Sequence, residues 1–93
     1  MNTEIIKRLV NKHDPLHLIK MGASDDEYQL EIGRIAVVVE NNSDIRAPEL
    51  ATAIKNIFIT TFDEHSVISH GIEVYDELAR DIVQQMRGNE STH

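Results

Sequence analysis

The sequence predicts an all-α fold: a small antiparallel bundle of four longer helices plus one short helix after Asp14-Pro15. Three observations carry that expectation. Apolar residues recur at three- and four-residue spacing in successive segments. Short breaks rich in glycine, proline or polar residues separate those segments. No pair of segments reads as two matching strands.

The first helix starts at Thr3, a capping residue, with Glu4 in its first turn. Ile5, Ile6, Leu9 and Val10 then share one face. His13-Asp14 is a break, because the residue before a proline is pushed out of the helical region. Asp14 can cap and Pro15 suits a first helical position, so a short helix is expected over about 15–21. Gly22 can take the left-handed conformation that ends it.

Ser24-Asp25-Asp26-Glu27 fits the capping box S-x-x-E and is expected to open the next helix. Asp25 and Asp26 would sit at its positive end. Tyr28, Ile32, Ile35, Ala36 and Val39 form the stripe that follows. The run RIAVVVE over 34–40 also suits a buried strand, but the unbroken stripe from Tyr28 and the lack of a partner strand favour helix. Tyr28, one turn inside the capped helix, could cover the short segment and pin the corner.

Pro48 marks the start of a further helix, with Leu50, Ile54, Ile57, Phe58 and Phe62 on one face. The segment 63–70, DEHSVISH, has no clear state, although Val67 and Ile68 suggest that it packs down. The last helix is expected over about 71–87, with Ile72, Tyr75, Leu78, Ala79, Ile82 and Met86 inward. Gly88 would end it, leaving a single helical domain over 1–88 and a frayed polar tail over 89–93. Leu30, Ile59 and Val74 fall off the main stripes, so either the helices bury wide faces or these residues meet a partner.

Composition narrows the function classes. The chain has 93 residues, the length of one domain. Hydrophobic residues make up 41% and aromatics only 4%, so the core is built mainly from aliphatic side chains. There is no cysteine, which excludes disulfides, thiolate catalysis and cysteine-based zinc sites and favours a cytoplasmic setting. The first residues, MNTEIIKRLVNKHD, lack the apolar core of a signal peptide, and no apolar run reaches a membrane span. With 9 Lys and Arg against 16 Asp and Glu, the formal net charge is −7. Such a surface repels nucleic acid and anionic membranes and attracts a basic protein partner; in most small domains it serves only solubility.

Two constellations bear on chemistry. Asp25, Asp26, Glu27 and Glu31 form an acidic cluster, and Glu27 and Glu31, four apart, are expected to be surface neighbours. Acids gather at helix starts for local reasons, so capping explains most of them. Asp25, Asp26 and Glu31 exceed what capping needs and are the candidates for protein binding. His13, Asp14 and His17 are the remote candidates for a metal corner, although Pro15 interrupts the spacing. There is no glycine-rich loop, no G-x-S-x-G and no H-E-x-x-H, so no catalytic residue, cofactor or metal is assigned and a non-enzymatic protein is expected.

The stretch DPLHLIKMGASDDEYQLEI, with Asp14-Pro15, Leu18, Gly22-Ala23, Asp26-Glu27-Tyr28 and Glu31-Ile32, resembles the YugE-like family of small uncharacterised helical proteins from Bacillus. In that family an aromatic often precedes Asp-Pro and a proline follows Gly-Ala; here those places hold His13 and Ser24. The resemblance implies an all-helical cytoplasmic bacterial protein and carries over no activity or site residue. The function expected is therefore a protein-interaction module, immunity-like or regulatory, with a self-associating homodimer as the alternative.

Overall fold

A computed structural model describes residues 3–24, 27–69 and 71–90, the last three by backbone alone. The described chain is all helical: α1 is Thr3–His13, α2 is Gln29–Asn41, α3 is Ala47–Thr61, α4 is Glu64–Ser69 and α5 is Glu73–Glu90. None of these helices is long and apolar enough to cross a membrane. The β-branched run in 34–40 is helical, because Ile35, Ala36 and Val39 bury one continuous face with Ile32.

The four long helices form a ring. α1 packs on α2, α2 on α3, α3 on α5, and α5 back on α1. Ring contacts fix the directions. Phe58, late in α3, meets Tyr28 at the start of α2 and Tyr75 early in α5, with centroids 5.7 Å away in both cases. Neighbours therefore run antiparallel, the up-down-up-down bundle of short-looped helices. Phe62 extends the aromatic file, 6.0 Å from Phe58. Ile6, Val10, Ile35, Leu50, Ile54, Leu78 and Ile82 fill the rest of the core.

Four expectations about local structure need correction. The short helix of the bundle is α4, not a segment after Asp14-Pro15. Residues 15–22 form turns, because Asp14 at φ 48° and His17 at φ 58° each interrupt helical backbone. Second, Ser24 is not the cap of α2: the helix begins at Gln29, and Tyr28 is its N-cap residue, with no side-chain cap bond. Asp25 and Asp26 lie outside the described residues. Third, Gly88 does not stop α5, which runs on to Glu90; residues 91–93 lie outside the described residues. Fourth, Ile72 precedes α5 and is 44% exposed, while Val83 takes an inward place that the stripe had not included.

α4 owes its start to Asp63. The carboxylate accepts from the backbone N–H of Ser66 at 3.1 Å and from its hydroxyl at 2.6 Å, a side-chain cap. These two bonds hold the Asp63 carboxyl below its ordinary value. Val67 of α4 is buried, and its carbonyl accepts from the Tyr75 hydroxyl at 3.1 Å. Of the off-stripe residues, Ile59 and Val74 pack partly against the core, whereas Leu30 stays 55% exposed.

Glu31 departs most from its expected place. It is 1% exposed, inside the stripe with Tyr28, Ile32 and Ile35, and its Oε1 has no hydrogen-bond partner. It is not a surface neighbour of the exposed Glu27. An unpartnered polar group in a core costs about 1–3 kcal/mol. Glu31→Met keeps the volume and removes that cost, so urea unfolding should show the variant more stable by about 1–3 kcal/mol.

Candidate functional site

The corner between α1 and α2 is built around one tyrosine hydroxyl. Asp14 ends α1: its N–H donates to the Val10 carbonyl at 2.8 Å, and its left-handed backbone turns the chain away. Pro15 enforces the departure, since it disfavours helical backbone at Asp14. Asp14 thus closes the helix before it and does not cap a helix after it. Gly22, at φ 103°, lets the N–H groups of Gly22 and Ala23 turn back to the carbonyls of Ile19 and Leu18 at 3.0 and 2.9 Å.

The Asp14 side chain organises the turns it has opened. Oδ1 accepts from the Tyr28 hydroxyl at 2.6 Å and from the N–H of Ile19 at 3.1 Å, and Oδ2 accepts from the N–H of Lys20 at 2.9 Å. The same Tyr28 oxygen accepts from the N–H of Leu16 at 3.1 Å and of Leu18 at 3.4 Å. Four backbone donors that a helix would have used internally are thereby satisfied by two side chains. Tyr28 is fully buried, and its ring stands against Phe58.

Electrostatics follow from that arrangement. Burial alone would raise the Asp14 carboxyl. The bonds from Tyr28, Lys20 and Ile19, with the His17 ring nearby, outweigh it and hold the carboxyl below 3.8. Burial, then the Asp14 carboxylate, push the Tyr28 hydroxyl well above the ordinary phenol value. Burial also pushes Tyr75 up to about 12.

The possible metal corner does not assemble. His13 Nε2 lies 2.7 Å from Asp81 Oδ2, tying α1 to α5, while the Asp14 carboxylate is engaged by Tyr28 and backbone N–H groups. Among the described residues no group of three or more His, Asp or Glu could hold a metal ion. Of the three residues proposed for protein binding, Glu31 faces the core and Asp25 and Asp26 fall outside the description.

What stands exposed instead is the outer face of α2. Leu30 and Val37 are 55% and 54% exposed, and with Gln29, Gly33 and Arg34 they line a shallow apolar depression. The i, i+3, i+7 spacing of Leu30, Gly33 and Val37 puts all three on one face. Leu30 was visible in the sequence as an off-stripe residue; Val37 was masked by the run Val37-Val38-Val39. No family model, curated protein or solved structure matches this chain.

Two predictions test the corner. Tyr28→Phe keeps the ring and removes the hydroxyl, leaving the buried Leu16 N–H unpaired. It should cost about 1–3 kcal/mol in chemical denaturation. The Asp14 carboxyl binds its proton more weakly folded than unfolded. Its contribution is therefore complete above the ordinary carboxylate range and is lost as pH falls below 3.8. The stability gap between the native chain and Asp14→Asn should be widest near neutral pH and close in acid, as followed by circular dichroism during urea titrations at several pH values.

Proposed function

We propose that this chain is a non-enzymatic protein-interaction module, regulatory or immunity-like, whose docking surface is the outer face of α2 and whose partner is a basic protein. The observation that carries the reading is the pair Leu30 and Val37, each more than half exposed on a chain of net charge −7. Large apolar side chains grouped on one helix face of a small domain favour association. Glu27 and Glu40, three residues beyond Leu30 and Val37 respectively, are both exposed, so acid flanks the strip at either end. A partner helix with apolar residues between Lys or Arg complements that pattern. The likeness to helical immunity proteins that mask basic toxins is one of charge and class alone.

Self-association is the second reading, and Gly33 favours it. A Cβ at Gly33 would meet nothing within 4 Å, so packing inside the chain does not require glycine there. Glycine in a helix interior costs about 0.5–1 kcal/mol relative to alanine. Bare backbone between Leu30 and Val37 lets the α2 of a second copy approach closely.

The double substitution Leu30→Asp and Val37→Asp separates these readings, because both side chains lie outside the core. Immobilised native chain should retain a basic protein in a salt-sensitive manner, and the double variant should lose it. Retention by the variant, or no salt-sensitive partner, rejects the first reading. Sedimentation of the native chain at micromolar concentration tests the second, for which a monomer of 10.6 kDa is the negative result.

A further inference from the structure

An acidic chain has gathered three of its five arginines on one cleft. The cleft, of about 520 Å³, lies where the start of α3 meets the second half of α5, and is lined by Arg46, Ala47, Arg80, Val83, Gln84 and Arg87. Among the described residues no carboxylate lines it. Acids stand in the adjoining hollows, Asp76 beside Arg80 and Asp44 beside Arg87, and Glu49 lies at the backbone of Arg46. No described ion pair engages any of the three guanidinium groups, and all three residues are exposed. Like charges brought together repel, and an anion bound in the cleft itself relieves that repulsion.

We infer that this cleft binds a small polyphosphate anion, a class beyond the protein partner argued above. Arg80 and Arg87 are seven residues apart on α5, so they project from the same side two turns, or roughly 10 Å, apart. A single phosphate is too small to bridge that span without drawing both side chains inward; two or three linked phosphoryl groups suit it. The planar guanidinium fork binds phosphate oxygens in pairs, as a lysine ammonium does not. Arg46 supplies the opposite wall. It is the N-cap residue of α3, and its backbone N–H donates to Glu49 Oε1 at 3.0 Å. The positive end of α3 adds to the field at Ala47. Val83 and Ala47 form an apolar floor, and the volume lies within the range of small-ligand sites.

The test is titration of the full chain with pyrophosphate, ATP and AMP at low salt, read by calorimetry and by amide shifts in NMR spectra. Pyrophosphate and ATP should bind saturably and move the amides of Ala47, Val83 and Gln84, with AMP weaker. Arg80→Gln and Arg87→Gln should each weaken binding about tenfold or more. Arg34→Gln, on the outer face of α2, should leave it unchanged. Circular dichroism verifies that each variant is folded. Three results would overturn the inference: no saturable binding of either polyphosphate, binding undiminished in both α5 variants, or shifts confined to residues away from the cleft.

Discussion

The bond from the Tyr28 hydroxyl to the Asp14 carboxylate holds the bundle's geometry together. It joins the residue that closes α1 to the N-cap of α2, and it does so in the interior, where a polar group without a partner is costly. From the same two side chains hang four backbone N–H groups of the connecting loop. The Tyr28 ring then enters the aromatic file through Phe58 to Tyr75, so the corner reaches the core of every long helix except α1. α1 is reached through Asp14 itself and, on its other side, by His13 with Asp81. Loop conformation and helix packing here are one cooperative unit.

Helix periodicity was legible in the sequence wherever burial decided the structure. The α2 stripe Tyr28, Ile32, Ile35, Ala36 and Val39 is buried as spaced, and so are Leu50, Ile54 and Phe58 in α3. The errors lie where residue type and residue role part company. Asp-Pro and Gly serve a helix start and stop as readily as a chain of turns. The deciding fact was a side chain fourteen residues away, which local spacing does not reveal. Ser24 to Glu27 has the letters of a capping box, yet the helix begins later, because Tyr28 is drawn inward to Asp14. Glu31 reads as surface acid by its distance from Glu27, although its i−3 and i+4 neighbours, Tyr28 and Ile35, both belong to the inward stripe. The stripe itself held the signal that it is buried. The cleft arginines are separated by 34 and 7 positions along the chain, and only the antiparallel packing of α3 on α5 unites them.

Charge is distributed unevenly in this protein. The total is strongly negative, yet one end of the α3–α5 pair carries a group of arginines, and one face of α2 exposes an apolar strip beside Arg34. A uniform solubilising coat would not need either departure. Together with the unpartnered Glu31, they are the places where this chain forgoes stability or solubility that a purely structural domain would retain.

The two tyrosines have a practical consequence. The chain contains no tryptophan, so Tyr28 and Tyr75 dominate its near-ultraviolet absorption. Both rings are buried, and both hydroxyls are held protonated beyond the pH at which a free phenol ionises. Tyrosinate absorbance therefore cannot develop at its usual pH while the bundle is closed. In moderately alkaline solution the ultraviolet spectrum is an intrinsic optical gauge: phenolate colour appears in proportion to the fraction of molecules that have opened, with no label and no engineered reporter.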